Sequence, residues 1–192
     1  IKAEEIEPAL LKNFNAVITG IRAYNIHEVL ALKQPILLEY VRNGGNMIVQ
    51  YNTAQQLKVK DNLAPYALQL SNDRVTDENA EVRFLDPAQS ILNYPNKISK
   101  ADFDGWVQER GLYFPKTWAP EFVPVLSMND KGESAKDGSL LIAKYGKGTY
   151  IYTGLSFFRE LPAGVPGAYK LFVNMVHAGD HQKARRGAPY RD

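Results

Sequence analysis

The sequence predicts an α/β fold in which helices cover a mixed β-sheet. Two observations predict it: a strand–helix–strand unit near the start of the chain, and two alternating strand patterns around a glycine-rich turn near its end. The first implies parallel strands joined by a right-handed crossover, and the second implies an antiparallel hairpin. With 192 residues, of which 45% are hydrophobic, the chain is long enough to bury one core of ordinary size.

The strand–helix–strand unit begins with AVITG at residues 16–20, an apolar, β-branched run that predicts a buried strand. Apolar residues at helical spacing follow. Pro35 fits the first turn of a helix, so we expect the helix to begin near Gln34 and to end at the Gly-Gly pair 44–45. Residues 47–51, MIVQY, predict the second strand.

Farther along, residues 54–80 are polar and without a clear period, so we expect irregular structure with a short helix. EVRFLDP and FVPVLSM each predict a strand, and GSLLIAKYGKGTYIYTGL predicts the hairpin. AYKLFVNMVHAG predicts a closing amphipathic helix. We therefore expect one α/β domain over residues 1–179 and a charged, disordered tail over residues 180–192. Because the chain opens on Ile1 rather than Met, we interpret it as a fragment of a longer protein that has lost N-terminal sequence.

Composition excludes several classes of function. The net charge of +2, from 23 basic and 21 acidic residues, argues against a nucleic-acid-binding face. The sequence has no run of 18 apolar residues, so no membrane span is predicted. The absence of cysteine excludes disulfides and a thiolate nucleophile. Three scattered histidines give neither a metal motif nor a base beside a glycine-flanked serine, so we predict no metal, no cofactor and no catalytic triad.

Polar side chains follow both strands of the first unit. In open α/β sheets, ligands bind beyond the carboxyl ends of the parallel strands. The loops after the two predicted strands read RAYN and QYNT. They supply five ligand-binding candidates: Tyr24, Asn25, Gln50, Tyr51 and Asn52.

Residues 102–115, DFDGWVQERGLYFP, mix charges and aromatic rings in a proportion unusual for a core element or a solvated loop. One interpretation is an opposing wall of the ligand site, in which Trp106 stacks on a sugar and Arg110 binds it. A second is an enzyme, a sugar hydrolase or isomerase, that uses Asp102, Asp104 or Glu109 as acid and base. The third is that Arg110 neutralises the acids while the aromatic residues staple the loop to the domain.

Four strings carry a family resemblance: NAVITGIRAYN, LLEYVRNGGNMIVQYN, LDPAQSILNYPNKI and AKYGKGTYIYTGLSFFRELPAGVPGAYKLFVNMV. Together they resemble the class I glutamine amidotransferase-like fold, and within it the ThuA-like group. The resemblance implies a flavodoxin-like, three-layer sandwich with a mixed, mostly parallel sheet and a late β-hairpin. RVTDENAEVRFLDP, DFDGWVQERGLYFP and PAGVPGAYKLFVNM resemble the C-terminal region of long LmbE-like proteins of the PIG-L deacetylase family.

The resemblance implies a zinc-dependent N-deacetylase domain upstream, with this region as its non-catalytic partner. Amidotransferases of this fold use a cysteine, which this sequence lacks, so no glutaminase activity is expected. The favoured function is an accessory domain that binds carbohydrate or the deacetylase domain, with an extracytoplasmic location slightly favoured. A sugar hydrolase or isomerase, and a purely structural packing or homodimerisation domain, remain the alternatives.

Overall fold

The computed structural model describes residues 1–59 and 63–179, so the predicted tail lies outside the described residues. The helices are α1 Pro8–Leu11, α2 Ala23–Ile26, α3 Glu28–Arg42, α4 Phe157–Glu160 and α5 Pro166–Val176, with short 3-10 turns at Ala3–Glu5, Ser90–Leu92 and Lys100–Phe103. The strands are β1 Ala16–Thr19, β2 Asn46–Gln50, β3 Leu68–Val75, β4 Arg83–Phe84, β5 Gly111–Trp118, β6 Phe122–Pro124, β7 Leu126–Ser127, β8 Leu140–Tyr145 and β9 Gly148–Thr153. Among the described residues, no helix has the length and apolar character needed to cross a membrane.

The central sheet has five strands in the order β1-β2-β9-β8-β6. β1, β2 and β9 run parallel, whereas β8 is antiparallel to both β9 and β6. The prediction of an α/β fold with a mixed sheet is therefore confirmed. The sheet is not mostly parallel, because the long segment after β2 returns through an antiparallel hairpin instead of further strand–helix–strand units. Two small antiparallel ribbons, β3–β5 and β4–β7, lie outside the sheet.

Helices cover both faces of the central sheet. Successive strand residues point to opposite faces. Met47 and Val49 of β2 therefore join one core cluster, which includes the buried residues of α3. Ile48 and Ile151 join the other, which includes the buried residues of α5. The result is a three-layer arrangement in which α3 and α5 each bury one apolar face against the sheet.

Helix α3 begins earlier than the sequence predicts. It starts at Glu28 rather than near Gln34, and Pro35 lies inside it. A proline there removes one helical hydrogen bond and costs about 3 kcal/mol. The helix nevertheless continues through Pro35 because Leu30, Leu37 and Val41 all pack into the core from the same face.

The segment predicted to be irregular contains the eight-residue strand β3, Leu68–Val75. It pairs with β5, which holds the second half of the aromatic stretch. Register shifts between Gln69 and Val75 interrupt the pairing, and such irregularities obscure a period of two in the sequence. FVPVLSM likewise forms two short strands, β6 and β7, with different partners. The hairpin β8–β9 and the closing helix α5 agree with the predictions.

Candidate functional site

The loops after β1, β2 and β9 meet at one end of the sheet, called here the carboxyl edge. Tyr51, the first residue after β2, lies at its centre. Its ring stacks on Tyr113 of β5, with centroids 5.5 Å apart and planes 29° apart. Its other aromatic neighbour is Phe158 of α4, at 5.4 Å and a tilt of 59°. Three separate parts of the chain thus form one aromatic cluster at the edge where α/β proteins bind ligands.

An ion pair borders this aromatic cluster. Arg159 Nε lies 2.6 Å from Glu109 Oε1, and the Arg159 guanidinium lies 4.8 Å from the centre of the Phe158 ring. Burial raises the pKa of Tyr51, while the positive charges of Arg22 and Arg159 oppose that increase. These contacts join five residues into one charged and aromatic unit, which we call the edge cluster: Tyr51, Tyr113, Phe158, Glu109 and Arg159.

Four non-glycine residues with left-handed backbone conformation lie in segments around the carboxyl edge. Their φ angles are 55° at Arg22, 61° at Gln56, 68° at Gln108 and 54° at Tyr113. Such residues cost roughly 1–3 kcal/mol each and are concentrated at functional sites. Arg22 and Gln56 follow β1 and β2, Gln108 precedes Glu109, and Tyr113 belongs to the edge cluster. The strain supports this edge as a candidate site.

A shallow pocket of about 460 Å³ opens beside the edge cluster. It lies between the loop after β2 and the β3–β5 ribbon, and it is lined by Gln55, Asn72, Arg74, Leu112 and Tyr113. The Arg74 guanidinium is oriented by Glu133 at 3.4 Å and Asp130 at 4.0 Å. The pocket combines an aromatic ring with two amides and a cation.

Most of the polar residues predicted at the strand ends bond to the protein itself. Asn52 is fully buried, and its Oδ1 accepts a hydrogen bond from the Tyr24 backbone N–H at 2.9 Å. The Tyr24 hydroxyl donates to Gln34 at 2.5 Å. Asn25 donates to the carbonyls of Thr53 and Gln55, and Gln50 donates to the carbonyl of Thr19. These side chains hold the loops in place, and Tyr51 alone of the five enters the edge cluster.

Trp106 and Arg110 lie inside the protein. Trp106 exposes 3% of its surface, and its indole N–H donates to the Asp102 carbonyl at 3.1 Å. Arg110 exposes 4% and donates twice to the Ala80 carbonyl, at 3.1 and 2.9 Å, and once to the Phe103 carbonyl. This burial leaves Trp106 no open face for a sugar, and it directs three N–H groups of Arg110 to backbone carbonyls rather than to a ligand. Both residues therefore anchor residues 102–115 to the rest of the domain, as the third interpretation of this stretch expects.

The three candidate carboxylates have different surroundings. Asp102 binds Lys170 at 2.7 Å, Glu109 binds Arg159, and Asp104 is exposed to solvent. Partial burial alone would raise the pKa of Asp102. The bonds from Lys170 and Ser99 outweigh this effect, so its pKa lies below the ordinary value. A general acid needs the opposite shift, so this geometry offers no support for Asp102 as an acid in catalysis.

We expect Asp102→Ala to destabilise the fold by about 1–2 kcal/mol at pH 7, because Asp102 also accepts from the Ser99 N–H and hydroxyl at 2.7 and 3.0 Å. Its pKa is lower in the folded state. Its contribution is therefore complete above the unfolded value of about 3.9 and is lost as the pH falls through the folded value. Urea unfolding between pH 7 and 2.5 should show the difference from the parent shrinking below about pH 4. Glu81→Ala, which removes exposed ion pairs with Lys100 and Arg83, is the matched control and should change little. A difference that stays constant to the lowest pH would contradict this account.

Sequence reasoning missed Tyr113, Phe158, Arg159 and the lining of the pocket. The available signal was LSFFRE, which follows the strand pattern YIYT after a single glycine. The hairpin prediction described that strand only as antiparallel to its predecessor. In the structure it also runs parallel to β2, so LSFFRE is a third loop at the carboxyl edge.

In overall structure, the chain is similar to "Cytoplasmic Protein STM1381" from Salmonella typhimurium LT2, with a TM-score of 0.55 and 12% identity over 89% of this chain and 74% of that chain. It is also similar to a β-galactosidase from Rahnella sp. R3, with a TM-score of 0.49 and 12% identity over 86% of this chain and 23% of that one. The GH42 β-galactosidase Gan42B gives a TM-score of 0.47 and 14% identity over 80% and 21%. The chain thus spans less than a quarter of the length of either β-galactosidase. No protein-family model and no curated protein matches the sequence. At 12% identity, the likeness to the Salmonella protein shows a general α/β fold and nothing more.

Proposed function

We propose that this domain binds carbohydrate without transforming it, through the pocket beside the edge cluster. The observation that carries the proposal is the lining of that pocket: Tyr113 offers a ring, Gln55 and Asn72 offer amides, and Arg74 offers a guanidinium. A sugar presents an apolar face and a rim of hydroxyls, so it needs a stacking surface and several hydrogen-bonding groups together. Ligand pockets commonly combine such apolar surface with a few placed polar groups.

The polar groups of this pocket are available in a way that the strand-end residues are not. In the part of the chain that the structure describes, no protein hydrogen bond engages the side-chain amides of Gln55 or Asn72. Arg74 is held in place by two carboxylates but remains an exposed side chain. The Tyr113 ring is held in place because one of its faces stacks on Tyr51. Groups that are ordered before the ligand arrives lose less conformational entropy on binding.

The non-catalytic part of the proposal rests on the carboxylates. Glu109 is bound to Arg159, and Asp102 is bound to Lys170 with a lowered pKa. Burial raises the pKa of Glu160, but this carboxyl is fully enclosed and accepts from the Val107 N–H and the Ser156 hydroxyl. A raised pKa from burial is also what a structural carboxylate shows. Among residues 1–59 and 63–179, none of those that line the pocket is acidic.

The wider context that we propose is an accessory domain of a carbohydrate N-deacetylase-like protein. What supports it is the resemblance of the sequence to the amidotransferase-like, ThuA-like fold and to the C-terminal region of long LmbE-like proteins. A domain that holds a polysaccharide near a separate deacetylase domain raises the effective concentration of substrate at that domain. Binding, rather than chemistry, is then the property to measure.

Replacing Tyr113 with glycine tests the proposed site. Glycine removes the ring yet adopts the φ of 54° without strain, so the backbone of β5 is expected to be kept. Two-dimensional amide NMR with glucose, galactose, N-acetylglucosamine and their di- and trisaccharides should show saturable shifts around Asn72 and Leu112 in the parent. Loss of the ring should weaken binding by about tenfold, equivalent to about 1.4 kcal/mol.

Tyr169→Ala is the matched control, because Tyr169 is an exposed tyrosine on α5 and does not line the pocket. It should bind like the parent. No shift with any sugar in the panel would overturn the proposal. Equal binding by the parent and Tyr113→Gly would also overturn it, since the ring would then have no part in recognition.

A further inference from the structure

A larger pocket, of about 640 Å³, lies at the opposite end of the sheet. Its lining includes Asn15, Gly45 and Lys147, the residues that directly precede β1, β2 and β9. It is therefore at the amino edge of the three parallel strands, whereas the proposed carbohydrate pocket is at their carboxyl edge. The volume falls within the range of about 300–1,000 Å³ that is typical of small-molecule sites. We call it the amino-edge pocket.

The walls of the amino-edge pocket are apolar and come from two helical segments. Pro8, Leu11 and Phe14 belong to α1 and the turn after it, and Pro35, Ile36 and Tyr40 belong to α3. Phe14 exposes 41% of its surface, so part of its ring is open to a ligand. The pocket thus offers two aromatic rings and several aliphatic side chains to a ligand.

Interactions between the two segments hold the pocket open. The Lys33 ammonium lies 2.8 Å from the Glu7 carboxylate at the start of α1. The Tyr40 hydroxyl donates to the Phe14 carbonyl at 3.0 Å. A Cβ added at Gly45 would come within 2.2 Å of the Tyr40 ring, so this glycine lets the ring lie flat against the backbone. The ring is fixed before any ligand binds.

The charges at the rim favour an anion. Lys12 and Lys147 line the pocket, and Glu39 is the acidic residue among its lining side chains. The Glu39 carboxylate already accepts from the Asn43 amide at 3.0 Å and lies 3.9 Å from Arg42. The carbonyls at the C-terminal end of α3 also have donors: those of Glu39, Tyr40 and Val41 accept from the three residues after the helix, and that of Arg42 accepts from the Lys147 N–H. Little unbalanced negative charge therefore faces the cavity.

We propose that the amino-edge pocket binds a small amphipathic anion: an aromatic or aliphatic acid whose apolar body lies between Phe14 and Tyr40 and whose acid group faces Lys12. The apolar walls match the body of such a ligand, and the ammonium at the rim matches its charge. Because the site is separate from the carbohydrate pocket, it does not depend on the proposed function.

The test uses 1-anilinonaphthalene-8-sulfonate as the aromatic anion and N-phenyl-1-naphthylamine as its neutral analogue. With the full chain, the sulfonate should show a saturable rise in fluorescence at one molecule per chain. The amide NMR signals of Gly44 and Gly45 should shift in the same titration. Phe14→Ala should weaken sulfonate binding by about tenfold. Lys12→Gln should weaken it by about threefold and leave the neutral analogue unaffected.

Leu85→Ala is the matched control, because Leu85 is exposed to a similar degree, 44%, and does not line the pocket. It should bind like the parent. The proposal would be overturned by an unsaturable signal, by shifts that spare Gly44 and Gly45, or by equal losses in Phe14→Ala and Leu85→Ala. If Lys12→Gln weakens both probes equally or neither, the anionic character of the ligand is wrong.

Discussion

Replacing Arg110 with methionine is expected to destabilise the fold by about 2–5 kcal/mol, because two buried backbone carbonyls lose their donors at about 1–3 kcal/mol each. The guanidinium is almost fully buried and donates to the carbonyls of Ala80 and Phe103. It also lies 5.8 Å from the centre of the Phe103 ring and 5.7 Å from that of Trp106. Methionine keeps an apolar stem of similar length but leaves the carbonyls without donors.

Urea unfolding followed by circular dichroism at pH 7 measures this loss. Arg42→Met is the matched control, since the Arg42 side chain is 64% exposed and contacts Glu39 at 3.9 Å. It should change the free energy of unfolding by less than about 0.5 kcal/mol. If Arg110→Met cost less than about 1 kcal/mol, the aromatic stretch would be held chiefly by apolar packing and the arginine would not be its staple.

Part of the acidic charge near Arg110 in the sequence stabilises the buried guanidinium of that residue. Burial lowers the pKa of Arg110, and the carboxylates of Asp77 and Asp104 are the largest influences that oppose this. Asp104 therefore stabilises a buried cation without needing a direct hydrogen bond to it. A cluster of acids beside a tryptophan is typical of sugar chemistry, but here Asp104 stabilises the buried Arg110. The other two acids are paired, Asp102 with Lys170 and Glu109 with Arg159.

The local elements of the fold could be predicted because each of them has a short, recognisable sequence pattern. The first strand, the second strand, the hairpin and the closing helix each follow from apolar periodicity and glycine positions. The composition of the sheet could not be predicted in this way. Whether β9 also pairs with β2 depends on a contact between Ile48 and Ile151, about a hundred residues apart. The sequence of either strand alone does not indicate this pairing.

The sequence predicted the location of the candidate site better than it predicted the residues that form it. The carboxyl edge follows from the fold rule for parallel strands, and Tyr51 and Glu109 lie in the edge cluster. Tyr24 and Asn52 do not, because a loop must first satisfy its own backbone donors and acceptors. Amide and hydroxyl groups in a loop have the same sequence signature whether they face a ligand or a neighbouring carbonyl. Only the folded geometry distinguishes the two.

The second large effect is expected from Gly167→Ala in the first turn of α5. Helix propensity alone would favour alanine over glycine by up to about 1 kcal/mol. The added Cβ would, however, lie 1.8 Å from the Asp102 carbonyl oxygen, a backbone atom that cannot move aside as a side chain can. We therefore expect a destabilisation of about 3 kcal/mol, in the range for overpacked sites. The two arguments predict opposite signs.

Gly20→Ala is the matched control for this test, because a Cβ at Gly20 would meet no atom within 4 Å. It should leave the midpoint of urea unfolding almost unchanged, whereas Gly167→Ala should lower it clearly. The close approach at Gly167 also places Lys170, one helical turn later, within reach of the Asp102 carboxylate. Gly167→Ala should therefore remove much of the additional loss caused by Asp102→Ala, and a double-mutant cycle measures that coupling. A stabilised Gly167→Ala variant, or strictly additive losses, would mean that α5 and the aromatic stretch are not packed against each other in the way the structure shows.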